Sequence, residues 1–266
     1  MDTSNNFSVI IPTYNSAKYI KNTLISVVNQ TYINYEIIVI DDGSNDNTVE
    51  IIYDFFKNLN NISFKLLEQK NSGAGSARNN GINNAKYDWI AFLDSDDLWN
   101  FNKLSVINDF LNKNKNYNFL CHNEYINELD GTQLINNYSK NFNFSKDLVS
   151  QLYEKNYFST SAIVVKKAIL LKHKGFNISF RSAQDYEMWL RISPDLNVKF
   201  IDKVLGTYIM RSGNISTSNY WTRLWNLLRI KLIHRKKVSF FIFVKNIFLS
   251  VILHILIPVL KKLKFI

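Results

Sequence analysis

Cysteine occurs once in the 266 residues, proline three times and glycine eight times. A single cysteine, Cys121, cannot close an intrachain disulfide, so the fold has to rest on a packed core, and the chain suits a reducing compartment. Cys121 itself reads as a core residue, because free cysteine is usually buried. No proline- or glycine-rich linker and no internal repeat break the chain. The opening residues Met1-Asp2-Thr3-Ser4-Asn5-Asn6 carry an acid and no basic n-region, so a secretory signal is not expected. The longest apolar stretch, Ile247 to Leu260, falls short of the ~20 residues a membrane-spanning helix needs. Acid is missing from the C-terminal quarter: residues 203–266 hold 12 Lys+Arg and no Asp or Glu, whereas residues 1–202 hold 20 Lys+Arg and 22 Asp+Glu. The net charge of +10 therefore comes entirely from the tail. No nucleic-acid-binding motif accompanies that charge.

Apolar runs are plentiful, and their placement is informative. Phe7-Ser8-Val9-Ile10-Ile11, Tyr35-Glu36-Ile37-Ile38-Val39-Ile40, Ile62 to Leu67 and Trp89-Ile90-Ala91-Phe92-Leu93 read as strands. Helical patterns lie between them, at Ala17 to Gln30, Asn47 to Asn58 and Gly75 to Ala85. Continuous apolar strands alternating with helices predict an α/β domain with a mostly parallel sheet covered on both faces. Further strands are expected at Phe119 to Ile126 and Ser161 to Val165, with a loop from Asn127 to Asn143. Polar and acidic residues follow the strands, and ligands of open α/β sheets bind at the carboxyl ends of strands.

The richest of these ends is Asp94-Ser95-Asp96-Asp97. Clustered carboxylates repel unless something positive joins them. A hard divalent cation that also grips a diphosphate meets that need, since ions of this type take one or two carboxylates plus phosphate oxygens. A solvated acidic turn with a helix cap is the plainer alternative. Asp41-Asp42-Gly43-Ser44 likewise reads either as a turn capping the next helix or as a nucleoside contact, one role per carboxylate. Gly73-Ala74-Gly75-Ser76-Ala77-Arg78 is not a dinucleotide fingerprint. It follows the third strand, and Arg78 stands where a third glycine is expected. It suits a loop opening a helix whose N-terminus and Arg78 face a diphosphate.

Val9-Ile10-Ile11-Pro12-Thr13-Tyr14-Asn15, Val39-Ile40-Asp41-Asp42-Gly43-Ser44, Gly73 to Asn79, Leu93 to Asp97 and Gln184-Asp185-Tyr186-Glu187-Met188-Trp189-Leu190-Arg191 together resemble family 2 glycosyltransferases. The likeness covers about the first 215 residues. It implies the GT-A fold, a Rossmann-like sheet flanked by helices, over residues 1–217. It also implies inverting transfer of a hexose from a UDP-sugar. Pro12, Tyr14 and Asp42 match positions that hold the nucleoside, and Arg78 matches a diphosphate contact. Asp96 matches the principal ligand of Mn2+ or Mg2+, with Asp94 at the ribose or at water around the metal. Asp97 is either a further ligand or the cap of a helix starting near Asn100.

The same resemblance makes Asp185 the general base, with Glu187 as the alternative. Relatives usually carry Glu-Asp where this chain has Gln184-Asp185, so a like-charged neighbour that raises the pKa is missing. Trp189 reads mainly as packing, with sugar stacking as the alternative. Arg191 is expected either to pair with an acid or to reach toward the donor. Relatives often read Tyr-Arg-x-His where this chain has Tyr208-Ile209-Met210-Arg211. Arginine cannot ligate a cation but clamps diphosphate, so Arg211 is expected on the donor phosphates. Ser212 to Ser216 reads as a loop that closes over the donor.

Residues 218–266 read as a basic amphipathic helical tail, with Pro258 as a kink. Its mixture of Trp, Leu and Phe with Arg and Lys suits an anionic membrane surface; packing on the domain and a membrane hairpin are the alternatives. The expected placement is peripheral, on the cytoplasmic face of the cell membrane. The acceptor implied is a polyprenyl-diphosphate-linked saccharide, as in O-antigen or capsule assembly. A processive synthase is disfavoured, because the Gln-x-x-Arg-Trp block is absent. A non-catalytic sugar-nucleotide- or membrane-binding scaffold on the same fold is the alternative function.

Overall fold

β1 (Phe7–Thr13) and β2 (Tyr35–Asp41) are buried at every residue, as the unbroken apolar runs require of strands covered on both faces. The computed structural model describes residues 5–57, 59, 62–140, 142–180, 182–211 and 220–252. The remaining strands are β3 (Ser63–Glu68), β4 (Trp89–Phe92), β5 (Leu98–Trp99), β6 (Phe119–Asn127), β7 (Gln133–Asn136), β8 (Ile163–Lys166) and β9 (Val198–Ile209). The helices are α1 (Ile20–Val28), α2 (Thr48–Phe56), α3 (Ala74–Asn84), α4 (Lys103–Lys113), α5 (Leu148–Glu154), α6 (Lys167–Lys172), α7 (Gln184–Ile192), α8 (Tyr220–Ile233) and α9 (Phe240–Val251).

One sheet runs β3-β2-β1-β4-β8-β6-β9-β5, with β7 hairpinned onto β6. β3, β2, β1 and β4 are parallel, and α1, α2 and α3 lie in their crossovers. From β8 onward the sheet is mixed. β8 is antiparallel to β4 and β6, β9 is parallel to β6, and β5 is antiparallel to β9. The mostly parallel character expected therefore holds for the N-terminal half. The stretch expected as a loop from Asn127 to Asn143 contains β7.

Period-two alternation sorts β1 between two cores. Phe7, Val9 and Ile11 join the cluster with α1, α2 and α4, while Ile10 joins the cluster with α3 and α7. Trp189 is the pivot of the second cluster. It is fully buried against Phe92, Phe119, Phe158 and Phe176, so it packs and does not reach a sugar. Cys121 is fully buried in the same core, as expected. Gly81 lets α3 lie close on the sheet: a Cβ there would stand 2.6 Å from Ile10 Cγ2 and 2.8 Å from Ile40 Cδ1.

α8 lies against the domain. Ile230 is fully buried in the Trp189 cluster, and the Tyr153 hydroxyl donates to the Lys231 carbonyl at 2.6 Å. The expected boundary near residue 217, the closing loop Ser212 to Ser216 and Pro258 lie outside the described residues.

Candidate functional site

The acidic turn leaves β4 under firm control. The Asp94 amide donates to Ser161 Oγ at 3.1 Å, and the Asp97 amide donates to the Asp94 carbonyl at 3.1 Å. Thr23 Oγ1 donates to the carbonyls of both Ser95 and Asp97 at 2.9 Å. These bonds decide which way each carboxylate faces. Asp94 meets Arg78 Nη2 at 2.5 Å, and Asp96 meets Arg211 Nε at 2.6 Å. Asp97 is instead turned into the protein, where it accepts from Ser161 Oγ at 2.5 Å and from the Ile209 amide at 3.1 Å. Burial, then Asp96 and Asp94, push its carboxyl well above the ordinary range. This corrects both expectations for Asp97. It does not reach the cleft as a metal ligand, and it caps no helix, since α4 begins only at Lys103.

At the nucleotide end, Pro12 lies within β1 opposite Ile40. The Ile10 carbonyl faces β4 and accepts from Leu93, so by alternation Pro12 also faces β4, beyond its last paired residue Phe92. A missing N–H costs nothing there. Tyr14 follows and is 46% exposed at the mouth of the site. Asp41 holds its own turn through the amides of Gly43 and Ser44. Asp42 accepts from the amides of Ser72 at 2.8 Å and Gly73 at 2.7 Å, so its carboxylate pins the glycine loop before α3. Asp46, at the start of α2, accepts from the Thr48 amide at 3.1 Å.

Arg78 is buried on the first turns of α3, its guanidinium 5.4 Å from the Phe176 ring centre. Its Nε has no partner among the described residues, which leaves a buried donor beside the helix start.

Across the site, Ala183 takes a left-handed conformation (φ 57°) just ahead of α7, a strained backbone of the kind found at functional sites. Asp185 follows and accepts from Asn156 Nδ2 at 3.0 Å. Burial raises its carboxyl pKa above the ordinary value, and Arg78 opposes that shift only in part. Gln184 beside it carries no charge, and burial is the leading cause of the rise. Gln184 itself is buried. Its Nε2 donates to the Phe180 carbonyl, and its Oε1 would stand 2.8 Å from a Cβ on Gly75. Glu187 does not line the cleft: it bonds Arg191 Nε at 2.9 Å and His234 Nε2 at 3.1 Å. Of the two outcomes expected for Arg191, this geometry selects the acid pair.

Pro12, Tyr14, Asp42, Arg78, Asp94, Asp96, Asp185 and Arg211 all line one cleft of about 1270 Å3. Asp97 is outside it, as are the alternative candidates Glu187, Trp189 and Arg191. Asn156 and Ser161 were missed by sequence reasoning, because an isolated Asn or Ser in an irregular segment carries no pattern. Lys103 was missed as well. It is fully buried, with Nζ 3.7 Å from the Trp99 ring centre and donating to the Ser161 carbonyl at 2.9 Å.

Among the described residues no three His, Cys, Asp or Glu side chains form a metal cage. A phosphate-bound divalent cation does not need one. Asp96 fits the smaller requirement. It lines the cleft, and both Arg211 contacts fall on Oδ2. Burial and then Asp94 push its carboxyl up despite Arg211.

A family model for Glycosyl transferase family 2 matches residues 8–173. The chain is 31% identical over 229 residues to the UDP-Glc:alpha-D-GlcNAc-diphosphoundecaprenol beta-1,3-glucosyltransferase WfgD of Escherichia coli, covering 83% of this chain and 84% of WfgD. It is 29% identical over 235 residues to the chondroitin synthase of Pasteurella multocida, covering 87% of this chain but only 24% of that protein. Among solved structures, it resembles S. aureus TarS 1-349 in complex with UDP-GlcNAc at a TM-score of 0.68 and 23% identity, over 85% of this chain and 66% of that one. The mannosyltransferase PcManGT of Pyrobaculum calidifontis, in complex with GDP-Man and Mn2+, gives a TM-score of 0.68 at 17% identity, over 89% and 66%. At these identities the two structures speak for the fold. The chain is a glycosyltransferase of family 2, built on the GT-A fold.

Proposed function

We propose that the chain transfers a hexose from a UDP-sugar to a saccharide carried on a membrane lipid, inverting the anomeric centre. The observation that carries this reading is the meeting of Asp96, Arg78 and Asp185 in one cleft, with Asp185 buried enough to hold a raised pKa. In a single displacement, Asp185 takes the proton of the acceptor hydroxyl as that oxygen bonds to the anomeric carbon. The bond from that carbon to the diphosphate breaks, and UDP leaves. Tyr14 and Asp42 flank the nucleoside, Asp42 by fixing the loop of Ser72 and Gly73. Arg78 and Arg211 stand where diphosphate oxygens arrive and exchange their carboxylate contacts for them. Mn2+ or Mg2+ held by Asp96 would supply Lewis-acid neutralisation of the departing diphosphate.

The acceptor class follows the name of WfgD, whose acceptor is GlcNAc-diphosphoundecaprenol, and the exposed face of the C-terminal helices. Trp225, Phe240, Phe241 and Phe248 are each more than 60% exposed, beside Arg235, Lys236 and Lys237. That mixture suits an anionic membrane surface on the cytoplasmic side. Among the described residues no helix is long and apolar enough to cross a membrane.

The test is transfer by the full chain from a panel of UDP-hexoses to GlcNAc-diphosphate-lipid, with the product's anomeric configuration read by NMR. Asp185→Asn is expected to cut turnover about 10²–10⁴-fold while UDP still binds; retained turnover rejects the base. Asp96→Ala is expected to weaken UDP binding in Mn2+. Absence of UDP binding to the wild type rejects the donor reading.

A further inference from the structure

The cleft does not end at the acceptor base. It continues to the hairpin of α8 and α9, where Leu224, Leu227, Lys231, Asn246, Leu249 and Ser250 line it. Three polar side chains of this wall face one another, and Lys245 also lines it. Lys231 Nζ donates to Asn246 Oδ1 at 3.2 Å and to Ser250 Oγ at 3.3 Å. All three residues are at most 5% exposed. Asn246, an interruption of the apolar run in the sequence, thus has a partner in Lys231.

The hydrogen bonds do not neutralise the ammonium. Asn246 and Ser250 are uncharged, and residues 203–266 contain no acid. One carboxylate, that of Glu154 in the same cleft, acts on Lys231 through space without pairing with it, and it lies 4.0 Å from Lys245 Nζ. No ion pair to Lys231 is found among the described residues. Burying a charge without a counter-charge is costly, and an ammonium has three donors, of which two are used here. Burial pulls its pKa down to about 8, so it remains mostly charged at neutral pH and gains from an anion.

The hairpin is also tied to the helix that carries the base. Asn226 Nδ2 donates to Ser182 Oγ at 2.7 Å, three residues before Asp185, and His234 bonds Glu187 at 3.1 Å, two residues after it. Lys231 and Asp185 thus line the same cleft from two elements that are bonded to each other.

We propose that Lys231, Asn246 and Ser250 form a phosphate subsite that takes the diphosphate of the lipid-carried acceptor, with Leu224, Leu227 and Leu249 meeting the hydrocarbon beyond it. The inference rests on the transferase reading above and names where its acceptor is gripped.

The test is calorimetric, on the full chain, with UDP and Mg2+ saturating so that the donor diphosphate site is filled. Farnesyl diphosphate is the probe. Wild type is expected to bind it, and Lys231→Gln to weaken it at least about tenfold, the loss of one hydrogen bond to a charged group. Asn246→Asp keeps the lysine and its packing but supplies an internal counter-charge, and is expected to weaken binding as much. UDP affinity is expected to be unchanged in both variants, which shows that they fold.

Equal affinity of farnesyl diphosphate for wild type and Asn246→Asp overturns the subsite. Inorganic pyrophosphate binding as tightly as farnesyl diphosphate overturns the lipid-carrier assignment. Lys231-dependent binding of phosphatidylglycerol vesicles without binding of farnesyl diphosphate overturns it in favour of a headgroup. Failure of UDP to bind any of the proteins is a separate result, and rejects the transferase reading instead.

Discussion

Arg211 closes on Asp96 across 115 positions of the chain: Nε and Nη2 meet the same carboxylate oxygen, Oδ2, at 2.6 and 2.5 Å. The guanidinium also stacks over Tyr19, 4.3 Å from its ring centre. A second pair, Arg78 with Asp94, stands beside it. Each carboxylate of the Asp-x-Asp pair thus has its own cation, and in the proposed mechanism a donor diphosphate competes for both.

Arg211→Ala separates the two roles of that pair. Removing a cation beside Asp96 is expected to tighten Mn2+ binding, since like charges no longer oppose each other. UDP affinity is expected to fall about tenfold, the loss of a charge-assisted hydrogen bond. Titrations of Mn2+ and of UDP, run separately, check the two directions.

In the proposed mechanism, Asp185 sets the acid limb of turnover. The base works deprotonated, and its pKa is raised by burial. Turnover should therefore fall, as pH drops, at a pH above the ordinary aspartate value of about 3.9. Gln184→Glu restores a neighbouring acid and is expected to move that limb further alkaline. It also removes the donor that satisfies the Phe180 carbonyl, at a cost of about 1–3 kcal/mol in stability. A pH profile of kcat and a urea titration read the two effects.

Glu187 ties α7 to α8 through Arg191 and His234. Burial raises its pKa, but His234 and Arg191 outweigh burial and hold it below the ordinary value. A depressed folded pKa contributes stability above the ordinary glutamate value of about 4.3, and that stability is lost as pH falls through the folded value. Glu187→Gln is expected to cost about 3–5 kcal/mol at neutral pH. It should also flatten the decline below about pH 4.3, measured by urea unfolding across pH.

Gly81→Ala tests the close approach of α3 to the sheet. The added methyl meets Ile10 and Ile40 side chains in a filled core. Overpacking of this kind costs about 1–3 kcal/mol, and the Tm should drop with no change in the spectrum of the folded state.

The exposed aromatic face of α9 is expected to hold the chain on anionic vesicles. Phe240→Ser with Phe241→Ser removes two side chains that are 80% and 76% exposed, so the fold should be untouched. Vesicle cosedimentation is expected to weaken at least about tenfold.

Much of this protein was readable from local pattern alone. Phe7 to Ile11 and Tyr35 to Ile40 are too continuously apolar for anything but strands covered on both faces. The acids and glycines that follow them had to lie at carboxyl ends, because each apolar run stops where its strand does. Asp42, Asp94 and Asp96, placed that way, line one cleft with Pro12, Tyr14, Arg78, Asp185 and Arg211, which the family resemblance pointed to. The mixed half of the sheet was less readable. β5 has two residues and β7 four, too few to show a period, and their pairing depends on distant β9 and β6.

Only the tertiary structure decided which way each side chain of the acidic turn faces. Asp94, Asp96 and Asp97 are chemically alike and nearly adjacent. Asp97 turns inward because Ser161 and the Ile209 amide wait for it there, and Asp96 turns outward to Arg211. The same holds for Lys231, which sits in a sequence of alternating basic and apolar residues like any amphipathic lysine. Its burial against Asn246 and Ser250 follows from how α8 and α9 fold back on each other. Periodicity along a chain reports which face of an element is apolar. The partner that a polar group finds across dozens of residues is set by packing, which no local window contains.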